Sequence, residues 1–176
     1  PSNSSAASDV YKRQHVSQLI GEHTRIFLYG FGSSGLAAQE FQLRLLRLGM
    51  DAEAITELHQ MVLNEARITN ACLVIGISLS GATRELIDAL DRAKARGAAV
   101  IYLTSSNAER EKRTYEEIVL APVKKNLEYG NVISPQFPIL LILDLIYAQL
   151  LKEDRRSTEA QYDTHIWERI KDYHVG

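Results

Sequence analysis

Short apolar runs alternate with amphipathic segments along the first 120 residues of the chain. Each run is too short for a helix and stops at glycine or polar residues, which predicts a strand. The predicted strands are Arg25–Tyr29, Asp51–Ile55, Ala71–Ile77, Ala98–Thr104 and Glu117–Leu120. Because the third run is apolar without alternation, we expect that strand to be buried on both faces.

Segments with a period of about 3.6 residues separate the strands and predict helices. The predicted helices are the end of a helix at His15–Glu22, then Leu36–Leu48, Leu58–Ala66, Ala82–Arg96, Gln136–Leu151 and, after a polar break at Lys152–Ser157, Glu159–Tyr173. Alternating strands and helices are typical of a parallel sheet covered on both faces, which binds ligands beyond the carboxyl ends of its strands. Two loops at that edge carry candidate chemistry, Gly30–Gly35 and Ser78–Thr83.

Composition excludes several classes of protein. The 176 residues are 45% hydrophobic and 24% charged, as in one globular domain, and a net charge of −2 gives no basic surface for nucleic acid. The single cysteine, Cys72, fits a reducing, cytoplasmic setting. Five scattered histidines show no metal-ligand spacing, so we expect neither a metal nor another cofactor. The apolar segment Phe137–Leu151 contains Asp144 and is shorter than a membrane span, so no membrane contact is expected.

The first residues differ in character from the rest. Ser4–Gln14 resembles the translation of a transposon adaptor used in sequencing libraries. We therefore expect residues 1–14 to be a disordered, non-native leader, residues 15–152 to form the domain, and residues 153–176 to add a C-terminal helix that packs on it. On this interpretation the native sequence before His15, including any further domain, is missing.

Three hydroxyl residues follow the third predicted strand. Ser78, Ser80 and Thr83 stand where an apolar strand ends and a helix begins. The first N–H groups of a helix have no partner within it and lie at the positive end of its dipole, so they favour an anion. Neutral hydroxyl donors beside them suit a phosphate ester that binds reversibly. The alternative is purely local, with Ser80 as the N-cap of the helix and Thr83 in its first turn.

The loop after the first strand, Gly30–Gly35, formally matches the dinucleotide-binding pattern G-x-G-x-x-G. That pattern also requires an acidic residue at the end of the second strand. Asp51 lies at the start of that strand, and Glu57 comes after it. Ser33 and Ser34 instead add hydroxyls facing the same crevice, which favours phosphate binding and leaves a nucleotide-binding oxidoreductase as a third alternative.

With both loops in view, the chain from Arg25 to Leu151 resembles a SIS (sugar isomerase) domain. The loop ending at Ser34–Gly35 and the segment Ser78-x-Ser80-Gly81-x-Thr83 are similar to the two phosphosugar-binding segments of that family. Within the family, the chain most resembles the sensor domains of RpiR-type bacterial transcriptional regulators. The segments behind this likeness are Arg44–Gly49, Leu58–Gln60 and Ser134–Phe137 leading into Leu143–Tyr147.

The resemblance implies a three-layer α/β/α sandwich with a five-stranded parallel sheet, of the flavodoxin-like or Rossmann-like type. It implies a phosphosugar site assisted by backbone N–H groups and formed by Gly32, Ser33, Ser34, Ser78, Ser80, Gly81 and Thr83. It also implies a homodimer or higher oligomer, for which the Leu36–Leu48 or Gln136–Leu151 helix offers an apolar surface. In such regulators a helix-turn-helix domain precedes the sensor, so DNA would be bound only through that missing domain.

A stand-alone sugar-phosphate isomerase of the same superfamily is the runner-up. Isomerisation requires a base, usually Glu or His, beside the sugar carbons. The candidates are His23, His59, Glu109 and Glu128, and none belongs to a recognisable catalytic motif. We therefore assign no catalytic residue and regard His59 and Glu128 as possible sugar contacts. Because Ser105–Arg110 lacks the Ser-Pro-Leu-Ala-like turn usual in the family, the identity of the sugar stays open.

Overall fold

The computed structural model of the protein describes residues 3–105, 114–121 and 136–157. Eleven elements follow one another along these residues. They are α1 (Asn3–Glu22), β1 (Arg25–Gly30), α2 (Gly32–Arg47), β2 (Ala52–Ile55), α3 (Leu58–Asn64), a 3₁₀ turn (Glu65–Arg67), β3 (Cys72–Ser78), α4 (Arg84–Ala95), β4 (Ala99–Thr104), β5 (Glu117–Leu120) and α5 (Phe137–Ser157).

The five strands form one parallel sheet in the order β2-β1-β3-β4-β5. Strand β3 lies at its centre, and all seven of its residues are buried, as the unbroken apolar run predicts. The chain leaves β1 toward one edge and returns at β3 to build the other half of the sheet. This reversal of strand order opens a crevice between the carboxyl ends of β1 and β3.

Helices cover both faces of the sheet, so the predicted three-layer α/β/α architecture is confirmed. On one face α1, α2 and α5 pack through residues such as Ile20, Phe41 and Leu143. On the other face α3 and α4 pack through residues such as Met61 and Leu90. The sheet supplies both layers because successive side chains of a strand point to opposite faces. Among the residues that the structure describes, no helix is both long and apolar enough to cross a membrane.

Helix α2 begins before, and helix α4 after, the residue that the sequence pattern predicts. Helix α2 starts at Gly32 rather than at Leu36, so most of the glycine-serine loop is helical. Glycine and serine are weak helix formers, but close packing of this turn on β1 outweighs their propensity. Helix α4 starts at Arg84, with Thr83 as its N-cap, so the purely local alternative, with Ser80 as the N-cap and Thr83 in the first turn, is wrong.

The expectations for the two ends of the chain also need correction. The leader, expected to be disordered, is helical from Asn3 onward, and Lys12 within it lies 3.8 Å from the Glu117 carboxylate. The predicted break at Lys152–Ser157 is the last part of α5, where Glu153 accepts a 2.7 Å hydrogen bond from buried Ser17 of α1. This contact joins the part of α5 beyond its apolar stretch to α1. The predicted helix Glu159–Tyr173 lies outside the described residues.

Candidate functional site

The candidate site lies at the carboxyl edge of the sheet, where β1 and β3 end side by side. Gly30 is paired with Ile77 across these two strands, so the segments that follow them leave the sheet as neighbours. Because adjacent strands are about 4.8 Å apart, the two predicted phosphate loops border one crevice. Their placement is the one expected for a ligand site in a parallel sheet.

Ser78, Ser80 and Thr83 form a hydroxyl cluster at the start of α4. The Ser78 hydroxyl lies 3.2 Å from the Thr83 hydroxyl and 3.5 Å from the Ser80 hydroxyl, and in each pair either oxygen can donate. Ser78 is buried, Thr83 is half-buried and Ser80 is exposed, so the cluster runs from the core to the surface. The three side chains that the spacing singled out do converge on one point.

Thr83 does not cap the helix that it precedes. Its side chain makes no hydrogen bond to the first turn of α4 and lies toward Ser78 instead. Within the described residues, no side chain hydrogen-bonds to the first N–H groups of α4, which lie at the positive end of the helix dipole. Hydroxyl groups and uncapped N–H groups at one place can together bind a phosphate.

Gly81 shapes the turn that carries the hydroxyl cluster. Its φ of +66° lies in the left-handed region, and its N–H donates a 3.2 Å hydrogen bond to the Ser78 carbonyl. That N–H is already engaged, so Gly81 contributes the conformation of the turn rather than the free donor that we expected. The Ser105 N–H donates to the Leu79 carbonyl at 3.2 Å, and the Ser105 hydroxyl donates to the same oxygen. These bonds anchor the turn to the end of β4.

The glycine-serine segment forms the first turn of α2 and lies directly on β1. The N–H groups of Ser34 and Gly35 donate to the Phe31 carbonyl at 3.0 and 3.2 Å. Ser33 is exposed and Ser34 is half-buried. Within the described residues, neither serine side chain hydrogen-bonds to the hydroxyl cluster. The structure therefore brings the two loops to one crevice without direct contact between their hydroxyls.

A pocket of about 340 Å³ opens beside this first turn of α2. Its size falls within the range of about 300–1,000 Å³ typical of small-molecule sites. The lining residues come from α2 and from the segment after β2: Gly32, Gly35, Leu36, Gln39, Thr56 and Glu57. Sequence reasoning identified Gly32 and missed the contribution of Gln39, Thr56 and Glu57. The available signal was that Thr56 and Glu57 directly follow a strand whose carboxyl end lies at the same edge.

A buried hydrogen bond holds α3 against the sheet. The Asn64 side-chain amide donates a 2.8 Å hydrogen bond to the Tyr29 hydroxyl, and both residues are buried. Burial raises the pKa of this hydroxyl above its usual value, so Tyr29 stays neutral. This bond ties α3, and with it the preceding Glu57, to β1.

The two candidate sugar contacts, His59 and Glu128, differ in whether the structure describes them. His59 is exposed in the first turn of α3, two residues after Glu57, and is not among the residues that line the pocket. Glu128 lies outside the described residues. In the described part of the chain, no three His, Cys, Asp or Glu side chains are placed so that they could hold a metal ion.

Several solved structures share the fold. The Vibrio vulnificus NanR protein complexed with ManNAc-6P has a TM-score of 0.81 and 21% identity, over 96% of this chain and 63% of NanR. The sugar isomerase domain of an RpiR transcription factor from Sphaerobacter thermophilus has a TM-score of 0.73 and 20% identity, over 83% of this chain and 80% of that chain. A phosphoheptose isomerase from Neisseria gonorrhoeae has a TM-score of 0.67 and 18% identity, over 81% of this chain and 87% of the isomerase chain. At sequence identities as low as these, structural similarity shows that the fold is shared and nothing more.

Sequence similarity is higher to two bacterial HTH-type transcriptional regulators. The chain is 32% identical over 137 residues to a regulator from Clostridium perfringens. These residues make up 77% of this chain and 48% of the regulator. The chain is 31% identical over 144 residues to a regulator from Haemophilus influenzae. These residues make up 82% of this chain and 50% of that regulator. The chain thus spans about half the length of each regulator. The family model described as SIS domain matches residues 18–138, which include all five strands and both loops of the site, and the chain therefore belongs to the SIS domain family.

Proposed function

We propose that the chain is the phosphosugar-binding sensor domain of a cytoplasmic RpiR-type transcriptional regulator. In this proposal a sugar phosphate modulates DNA binding by a helix-turn-helix domain that precedes the sensor. The observation that carries the proposal is the hydroxyl cluster at the uncapped start of α4. The similarity to two HTH-type regulators, of each of which the matched residues make up about half, favours a sensor within a larger protein.

The phosphate binds at the hydroxyl cluster. Ser78, Ser80 and Thr83 donate hydrogen bonds to its oxygens, and the first N–H groups of α4 and the helix dipole add electrostatic stabilisation. Ser33 and Ser34 border the crevice from the side of β1 and contact the sugar phosphate when it bridges the two loops. The NanR protein, which shares this fold, is described in complex with a phosphorylated sugar, ManNAc-6P.

Regulation requires that the ligand bind one arrangement of the regulator more tightly than another. We propose a homodimer in which the sugar phosphate shifts the relative placement of the two sensor domains. The DNA-reading domains attached to them then move closer to, or farther from, the spacing of the operator half-sites. A ligand that left operator affinity unchanged in the full-length regulator would contradict this part of the proposal.

A sugar-phosphate isomerase is the alternative, because the fold is also that of a phosphoheptose isomerase. An isomerase requires a base, and His59 and Glu128 are the two of the four candidates that we would test first. His59→Asn or Glu128→Gln would abolish turnover in an isomerase, whereas a sensor has no turnover to lose. Measurable isomerisation of a sugar phosphate, removed by either substitution, would favour the enzyme.

A thermal-shift screen of the 176-residue chain tests the proposed site. The panel contains pentose, hexose, amino-sugar and acidic sugar phosphates, the same sugars without phosphate, inorganic phosphate and NAD. At a ligand concentration of about 100 times Kd, the native state gains about 2.7 kcal/mol. For a domain of this size we expect a rise in Tm of roughly 5–10 °C with at least one sugar phosphate.

Ser80→Asp is the matched test of the phosphate contact. It places a negative charge where the phosphate binds, so the thermal shift should be lost while the ligand-free protein stays folded. Asn70→Asp adds the same charge in the exposed segment before β3, at the opposite edge of the sheet, and should keep the shift. The absence of any shift in the folded wild-type protein, or an equal shift in Ser80→Asp, would overturn the phosphosugar site.

A further inference from the structure

We propose that Glu57 determines which sugar phosphates this site accepts, favouring hydroxyl- or amine-bearing sugars over those that carry a carboxylate. The inference rests on the proposed function and adds to it the class of the ligand. In this arrangement the phosphate lies on the hydroxyl cluster, and the other end of the sugar enters the pocket between α2 and the segment after β2.

The position of the pocket supports this assignment. Gly32 lines the pocket and is also part of the glycine-serine turn that flanks the crevice. Strand β1 stands between β2 and β3, and adjacent strands are about 4.8 Å apart, so the ends of β2 and β3 are about 10 Å apart. A hexose phosphate that extends across the end of β1 bridges this separation. The phosphate then lies beside β3, and the opposite end of the sugar reaches Glu57.

Glu57 has its carboxylate available for a ligand. Among the described acidic side chains, most hydrogen-bond or pair with a neighbouring residue, as Glu53 does with Arg67. Glu57 shows no side-chain hydrogen bond or ion pair within the described residues, and it does not cap α3 although it is the N-cap residue. Because Glu57 is one of the residues that line the pocket, its unpaired carboxylate can accept hydrogen bonds from a ligand that enters.

The chemistry of a carboxylate sets the preference. An ionised carboxylate only accepts hydrogen bonds, so its partner must supply O–H or N–H donors. Sugar hydroxyls supply them, and an ammonium group adds charge attraction. A sugar acid presents a second carboxylate, which has no donor and is repelled by Glu57. Gln39, on the facing wall, both donates and accepts hydrogen bonds and fits a hydroxyl of either configuration.

Titration calorimetry with three probes tests the inference: glucosamine 6-phosphate, glucose 6-phosphate and 6-phosphogluconate. The wild-type chain should bind the first most tightly and the last most weakly. Glu57→Gln keeps the shape of the side chain and removes its charge. We expect Glu57→Gln to lower the ratio of the affinity for glucosamine 6-phosphate to the affinity for 6-phosphogluconate at least about fivefold. The charge of Glu57 attracts the first ligand and repels the second, and each effect has the size of a partly exposed charge pair.

Asp88→Asn is the matched control, because Asp88 is also exposed and unpaired within the described residues but lies on α4 away from the pocket. Asp88→Asn should change the ratio of the two affinities less than about twofold from its wild-type value. A ratio that Glu57→Gln leaves unchanged, or that Asp88→Asn changes equally, overturns the role of Glu57 while the phosphate site stands. Binding of other sugar phosphates but none of these three also overturns it. Failure of every sugar phosphate to bind the wild-type chain would remove the proposed function itself.

Discussion

At the scale of single residues, the site depends on glycines that allow backbone segments to approach closely. A Cβ atom at Gly35 would lie 2.8 Å from the Gly30 carbonyl oxygen and 2.9 Å from the Thr56 side chain. A Cβ atom at Gly30 would lie 2.9 Å from the Ser34 backbone. All three distances are shorter than real contacts of a Cβ atom allow, so α2 can begin this close to β1 only with glycine at these positions.

Gly35→Ala should therefore destabilise the protein and weaken sugar-phosphate binding together. The added methyl group forces the first turn of α2 away from β1 and distorts the pocket, at an expected cost of about 1–3 kcal/mol. Urea unfolding measures the stability, and calorimetry measures the binding. Gly21→Ala is the control, because nothing lies within 4 Å of its Cβ position in α1. It should be neutral or stabilise by up to about 1 kcal/mol, and a similar loss in both variants would contradict the packing argument.

At the scale of elements, one carboxylate connects α4 with the outer strands. Glu116 accepts hydrogen bonds from Lys94 at the end of α4 and, at 2.6 Å, from the N–H of Val100 in β4. Burial by itself would raise the pKa of Glu116, but these two hydrogen bonds, together with a backbone hydrogen bond of Glu116 itself and the charge of Lys94, outweigh it and leave the pKa below the ordinary value of 4.5. The ionised form is thus the one that joins the elements.

The stability conferred by Glu116 should depend on pH in a defined direction. Because its pKa is lower in the folded than in the unfolded state, the contribution is complete above pH 4.5 and is lost as the pH falls through the folded value. Glu116→Gln should cost about 1 kcal/mol at pH 7, and the difference from the wild-type protein should shrink toward zero in acid. Urea unfolding at several pH values measures both.

Glu53→Gln serves as the comparison for that series, since it removes an exposed ion pair with Arg67. Exposed pairs contribute about 0–1 kcal/mol, so this variant should stay close to the wild-type protein at neutral pH. A constant difference between Glu116→Gln and the wild-type protein at all pH values would contradict the role of the Glu116 charge.

At the scale of the whole molecule, α2 and α5 present apolar side chains to solvent along one side. Leu43 of α2 is 58% exposed and Leu141 of α5 is 42% exposed. The two helices are joined by Arg44, whose guanidinium lies 2.7 Å from the Asp144 carboxylate and stacks over the Tyr147 ring. An apolar surface carried by two connected helices suits the self-complementary interface of the proposed homodimer.

Leu43→Asp should shift the protein toward the monomer if this surface forms the dimer. A charge in an apolar interface has no partner and disfavours association. Analytical ultracentrifugation of the wild-type chain and the variant measures the change in mass. Leu63→Asp, at a 62% exposed position on α3, should leave the dimer intact. A wild-type monomer, or dissociation by both substitutions alike, would exclude α2 and α5 as the interface.

The sequence by itself determined the parallel α/β architecture and the position of the two candidate loops. Continuous apolar runs such as Cys72–Ile77 indicate strands buried on both faces, and hydroxyls directly after such a run must lie at the carboxyl edge of the sheet. These signals are local, because the period of a segment and the residue types at its ends depend only on neighbours along the chain. The central strand, the two loops and the hydroxyl cluster were predictable for that reason.

The tertiary structure alone decided where α2 begins and where the pocket lies. Helix α2 starts at Gly32 because Gly35 packs against Gly30 and Thr56, and such contacts leave no periodic trace in the sequence. The pocket joins α2 to the segment after β2, which are brought together only when β2 pairs with β1. Glu57 acquires its proposed role in the same way, because pairing of strands distant along the chain determines which side chains share a cavity.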